Sequence, residues 1–155
     1  MTDLKIAVGI SDFEKIRSNG FYYVDKSGLI AELLKNSFAE VTLITRPRRF
    51  GKTLNQFMIR RFFEDEITEK GEKVDNGYLF DGLAITRCGE EIMQHQQRYP
   101  VIFMTLKSAK QDSYDMAYAS LIDEISKEFK RHAYLLQGES LSPKEKQEFQ
   151  LVMDK

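Results

Sequence analysis

Residues 41–53 constrain this chain more than any other stretch. Val41-Thr42-Leu43-Ile44-Thr45 is β-branched and almost continuously apolar, the composition of a strand buried on both faces, as in a parallel sheet. It runs straight into Arg46-Pro47-Arg48-Arg49-Phe50-Gly51-Lys52-Thr53. Beyond that loop, Leu54, Phe57, Met58, Arg61 and Phe62 recur at helical spacing. The unit reads strand, basic loop, helix. A second apolar run, Val101-Ile102-Phe103-Met104-Thr105-Leu106, follows Pro100, and the interval between the two is long enough for a right-handed crossover. The expectation is an α/β fold with a mostly parallel sheet. Only these two strands are convincing, and a parallel sheet needs several neighbours with both faces covered. The rest of the sheet is therefore expected from residues beyond Lys155 or from self-association.

Composition narrows the class. The chain has 155 residues, 42% hydrophobic and 30% charged, enough to build one core and too ordinary for a disordered or low-complexity segment. No apolar run approaches the roughly 18–20 residues of a membrane span, and the first residues do not read as a signal peptide. One cysteine, Cys88, excludes an internal disulfide and leaves a zinc site short of thiolates; His95 and His132 are too few for a histidine-rich metal site. These features point to a cytoplasmic setting. The net charge is −1, from 23 Lys+Arg against 24 Asp+Glu, so a globally basic nucleic-acid binder is excluded. The charge is nonetheless segregated. Between residues 46 and 63 lie Arg46, Arg48, Arg49, Lys52, Arg60 and Arg61 with no acid. Glu64, Asp65, Glu66, Glu69, Glu72 and Asp75 follow. That is the pattern of a local anion site beside a solvated acidic face.

The remaining elements follow from caps and periodicity. Leu4, Ile6, Val8 and Ile10 alternate as in a short extended segment. Ser11 with Glu14 has the capping-box spacing for a short helix that stops at Asn19-Gly20. Asp25 reads as the N-cap of a helix carrying Leu29, Ile30, Leu33 and Leu34 and fading near Asn36. Residues 64–77 read as a loop, 78–83 as a turn with a hydrophobic anchor, and 88–97 as a helix. Tyr114, Ala117, Tyr118, Leu121, Ile122, Ile125 and Phe129 keep helical period and are expected to face a core. Ser142-Pro143 opens a last helix, with proline at its first position.

The loop carries the chemistry. Phosphate binding needs backbone N–H groups aimed into a concavity with a helix N-terminus behind them. It also needs a lysine for the β/γ-phosphates and a Ser or Thr hydroxyl for Mg²⁺. Gly51-Lys52-Thr53 stands after the apolar run and before the helix, as that chemistry requires. Gly51 tolerates backbone angles and close approach that a side chain would block. Lys52 is the phosphate lysine and Thr53 the metal ligand. The pattern G-x-x-x-x-G-K-[ST] places glycine where this chain has Arg46.

The longer string from Ile44 through Arg46-Pro47-Arg48-Arg49-Phe50-Gly51-Lys52-Thr53 to Leu54 closely resembles the variant Walker A of the predicted AAA-ATPase family, whose members are similar to STAND-type P-loop ATPases. Further blocks share the resemblance: Gly9-Ile10-Ser11-Asp12-Phe13-Glu14-Lys15-Ile16-Arg17, Tyr23-Val24-Asp25-Lys26-Ser27, Phe80-Asp81-Gly82-Leu83 and Tyr99-Pro100-Val101-Ile102-Phe103. In that family arginine in place of the first glycine looks normal. The resemblance implies a P-loop NTPase-type three-layer sandwich, of which residues 1–155 form the N-terminal part. It implies ATP and Mg²⁺ as ligands, and usually a restriction-endonuclease-like nuclease domain further on. It places Arg46, Arg48, Arg49, Phe50, Gly51, Lys52, Thr53 and Leu54 at the nucleotide, and sets Gly9, Ile10 and Phe13 near the base. The Walker B acid is expected beyond Lys155, because the second apolar run ends Thr105-Leu106-Lys107 and Leu151-Val152-Met153-Asp154 follows a helical stretch. Nucleotide binding by these residues, with hydrolysis left to the longer protein and ATP acting as a switch for an attached effector, is the expectation. The alternative is a non-catalytic docking module that uses the basic loop 46–53 on nucleic acid or protein, since Arg48 and Arg49 offer forks for phosphate. A self-associating scaffold is the third reading.

Overall fold

In the computed structural model, which describes residues 5–35, 40–68 and 70–155, three of the helices begin at a side-chain cap, at Asp12, Ser113 and Ser142. Asp12 Oδ1 accepts the Lys15 N–H at 3.2 Å and opens α1 (Phe13–Ser18), one residue later than the Ser11 reading. α1 ends at Asn19. α2 (Gly28–Lys35) follows an Asx turn: Asp25 Oδ1 accepts the Ser27 N–H at 2.8 Å, just ahead of the helix. α3 (Lys52–Phe63) begins directly after Gly51. Two single 3₁₀ turns, Gly77–Phe80 and Ala84–Arg87, lead to the short α4 (Glu90–Met93). The helix expected over 88–97 is cut short, and Gln97 takes a left-handed φ of 55°. There the chain turns to the end of α3. Gln97 N–H donates to Phe62 O at 2.7 Å and Tyr99 N–H to Phe63 O at 2.9 Å, which satisfies carbonyls that a helix end leaves without partners.

The chain divides into two compact units, Met1–Asp65 with Asp75–Val101, and Glu66–Val74 with Ile102–Lys155. The first has an aromatic core. Phe13, Phe62 and Phe80 are fully buried, with ring centroids 5.2 Å apart for Phe13–Phe80 and 5.4 Å for Phe62–Phe80. Ile30, Met58, Leu79 and Ile85 close around them. Each buried ring is worth about 1.5–3 kcal/mol of transfer free energy, so this cluster anchors α1 and α3. Arg61 Nη2 to Glu14 Oε2, at 2.5 Å, ties the same two helices at the rim.

The second unit is built on α5 (Tyr114–Arg131) and α6 (Pro143–Met153), with a 3₁₀ stretch Ala133–Gln137 between them. Ser142 caps α6 through a full capping box with Glu145, and Pro143 holds the first helical position. Phe129 and Phe149 meet at 4.6 Å, and Ser126 Oγ donates to Met153 O at 2.7 Å. Glu128 accepts from Phe103 N–H at 2.7 Å and from Arg131 Nε at 3.0 Å. No helix among the described residues is long and apolar enough to cross a membrane.

The sequence expectation of an α/β three-layer sandwich with a mostly parallel sheet is overturned. The fold is helical, and among the described residues the β-pairing is confined to two isolated bridges, Glu64 with Tyr99 and Ile67 with Lys73. Residues 41–45 and 101–106 adopt no regular secondary structure and enter no ladder among the described residues. Val41 and Leu43, read as buried on both faces, are 83% and 84% exposed. The reason is physical: a strand is a property of two segments that exchange N–H···O=C bonds, and one apolar run supplies only half of that. The α5 stripe is corrected likewise. Tyr114 is 79% exposed, and Tyr118 and Ile125 also face outward. Leu4, Asn36 and Glu69 lie outside the described residues.

Candidate functional site

Gly51 sets the geometry of the loop. Its φ of 73° and ψ of 20° are left-handed, and it stands as the N-cap of α3 with no side chain to cap the helix. Nothing lies within 4 Å of where a Cβ would be, so the demand for glycine is conformational rather than spatial. A Cβ in this conformation costs roughly 1–2 kcal/mol. Arg49, at φ 68°, is left-handed as well, so the chain between Pro47 and α3 doubles back tightly. The first intrahelical bond of α3 runs from Asn55 N–H to Gly51 O at 2.9 Å. The amides of Gly51, Lys52, Thr53 and Leu54 precede it, and helix geometry gives them no intrahelical acceptor. They carry the positive end of the helix dipole.

A cavity of about 580 Å³ opens in front of these amides. Arg48, Arg49, Phe50, Gly51, Lys52, Thr53 and Leu54 all line it, opposite Gly9, Ile10 and Ser11. Its charged side chains are Arg48, Arg49 and Lys52, with no carboxylate in the lining. Arg46 contributes differently. Lys52 Nζ donates to the Arg46 carbonyl and, at 3.2 Å, to the Pro47 carbonyl. The ammonium thus closes the loop on itself. Arg46 Nη1 donates to the neighbouring Thr45 O at 3.1 Å. Phe13, expected near the base, is instead fully buried in the aromatic core.

The residues fit a polyphosphate better than they fit a resident metal. Orphan amides, an ammonium and two guanidinium groups around one concavity suit phosphate oxygens. For Mg²⁺, Thr53 offers a single exposed hydroxyl, and no group of three or more His, Cys, Asp or Glu able to hold a metal ion occurs among the described residues. Mg²⁺ is commonly held by substrate phosphates, water and one or two carboxylates, so Thr53 fits only as one ligand of a metal brought with the phosphates.

In the same unit, the sequence blocks 9–17 and 23–27 are bonded to the segment 79–85. Arg17 Nε donates to Leu79 O and its Nη2 to Asp81 O, both at 2.7 Å. Asp25 Oδ2 accepts the Ala84 N–H at 2.6 Å, and Ser27 Oγ accepts the Ile85 N–H at 3.0 Å. Burial pushes the Asp25 carboxyl up, but hydrogen bonds from Ser27 and Ala84 and the nearby Arg17 charge outweigh it and hold the group below its ordinary value. Burial raises the Tyr23 phenol, whose hydroxyl donates to Met58 Sδ at 3.1 Å. The sequence reads Asp25 as the N-cap of α2; the helix starts at Gly28 instead, and Asp25 turns the chain ahead of it and reaches Ala84, a contact that local spacing does not report.

Comparison with known proteins places this arrangement. The family described as Predicted AAA-ATPase matches residues 7–153. The chain belongs to that family. The match gives it an ATPase-like domain, and it takes in the cavity-lining segments 9–11 and 47–54 together. An "Uncharacterized protein in vnfD 5'region" of Azotobacter chroococcum mcd 1 is 42% identical over 103 residues, covering 66% of this chain. The chain spans 17% of that relative's length. No solved structure matches.

Proposed function

We propose that this member of the predicted AAA-ATPase family binds ATP through the loop 46–53. The amides of residues 51–54 face the β- and γ-phosphates. Lys52 supplies charge once it leaves the Arg46 and Pro47 carbonyls, Arg48 and Arg49 add guanidinium contacts, and Thr53 holds one position on Mg²⁺. The observation that carries this reading is the convergence of residues 48–54 on one cavity, behind a left-handed Gly51 that opens a 12-residue helix. No carboxylate lines that cavity, so these residues bind and position nucleotide, while hydrolysis draws its acid from elsewhere in the longer protein. In that protein, bound ATP acts as a switch on an attached effector such as a nuclease domain.

Melting with and without Mg-ATP tests the reading. Ligand at about 100 times its Kd adds about 2.7 kcal/mol, a rise of roughly 5–10 °C for a chain of this size. Lys52→Ala should abolish the rise. An unchanged melting point in a folded sample at millimolar Mg-ATP would contradict nucleotide binding.

A further inference from the structure

The arginines of the phosphate cavity lack what other arginines of the chain have. Arg60 Nε meets Glu64 Oε2 at 2.7 Å, Arg61 Nη2 meets Glu14 Oε2 at 2.5 Å, and Arg131 Nε donates to Glu128 Oε2 at 3.0 Å. Arg48 and Arg49 line the cavity beside Lys52, and neither guanidinium has a hydrogen-bond or ion-pair partner among the described residues. Arg49 is also strained. Its φ of 68° is left-handed, a conformation that glycine adopts freely and that a Cβ penalises. The other left-handed position of this loop is a glycine, Gly51; position 49 keeps its side chain. What that side chain adds is a third cation in the lining, after Arg48 and Lys52.

The charge sum decides what such a cavity needs from a metal. A fully ionised nucleoside triphosphate carries roughly four negative charges. Arg48, Arg49 and Lys52 bring three positive charges, and the head of α3 adds about half a charge more. The balance is close to neutral before any metal is added. A divalent cation on the same oxygens would compete with the guanidinium forks. It would also leave an excess of positive charge, with no carboxylate in the lining to offset it. Resting on the phosphate reading above, we infer that this cavity takes a nucleoside triphosphate without a divalent metal, with Arg48 and Arg49 in place of the charge that Mg²⁺ commonly supplies. Thr53 can hold a metal that arrives with the phosphates, but binding does not depend on one.

Calorimetric titration of the chain with ATP, once in excess EDTA and once in millimolar Mg²⁺, tests this. The two dissociation constants should agree within about 3-fold. A double variant, Arg48→Ala with Arg49→Gly, removes both forks, and glycine suits the left-handed backbone at position 49. Its affinity in EDTA should fall by about 10-fold or more, the worth of a hydrogen bond to a charged group. Mg²⁺ should restore much of that loss, so that binding becomes metal-dependent. Wild-type binding that weakens further in EDTA than the expected agreement allows would overturn the inference and leave the phosphate site standing. So would a double variant that loses affinity equally in both conditions, or one that loses none in EDTA. No wild-type binding in either condition would remove the phosphate site and this inference with it.

Discussion

The two compact units of this chain are held together by different means. Every fully buried hydrophobic side chain among the described residues belongs to the first unit: Phe13, Ile30, Met58, Phe62, Phe80 and their neighbours. In the second unit the buried residues are Ser126 and Glu128. There the helices rest on end caps, on the Phe129–Phe149 contact and on polar bonds such as Ser126 to Met153. Apolar burial scales with area removed from water, whereas a cap or an exposed ion pair contributes about 1 kcal/mol or less. The loop proposed to hold phosphate is mounted on the unit with the deeper core. A binding site needs its first residues held by elements that do not open, and α3 is such an element because Met58 and Phe62 lock its inner face.

That contrast can be broken in order of effect. The largest change is expected from Phe62→Ala, which removes a ring at the centre of the aromatic cluster; a loss of about 3–5 kcal/mol is expected, read as a lowered denaturant midpoint. Phe129→Ala removes a half-buried ring and should cost clearly less. A Phe129 effect as large as that of Phe62 would refute the contrast. Next, Ser142→Ala deletes the capping box of α6 and should cost about 1 kcal/mol. Its effect should appear as faster hydrogen exchange in α6 with the aromatic-core amides unchanged. The smallest effect is a pH dependence. Asp25 is held below its ordinary pKa in the folded chain, so its contribution is complete above the unfolded carboxylate value of about 3.9 and fades as pH falls through the folded value. Asp25→Asn should lower stability at neutral pH and flatten the acid limb below about pH 4; an acid limb identical to wild type would show that the Ser27 and Ala84 bonds contribute nothing.

What the sequence made legible is local chemistry. Asn19 ends α1, Ser142 and Pro143 open α6, Leu79, Phe80 and Leu83 of the turn at 78–83 are buried, and residues 48–54 form one turn and helix start because their instructions lie within a few positions of one another. What it hid depends on a second segment. The runs 41–45 and 101–106 announce extended backbone, but the ladder that would make them strands needs partners that periodicity cannot name. The same holds for the α5 stripe. Helical spacing identifies an apolar face at Tyr114 and Tyr118 without saying what covers it, and these two rings stack on each other at 5.9 Å in the open.

The central claim is spatial: the head of α3 and the turn before it form a polyphosphate cradle. Hydrogen–deuterium exchange of the folded chain, with and without saturating Mg-ATP, tests it most directly. Slowed exchange at the amides of residues 48–54, with α5 and α6 unchanged, is the predicted result. Exchange at 48–54 that is indifferent to the nucleotide, or protection that falls on α5 and α6 instead, would contradict it.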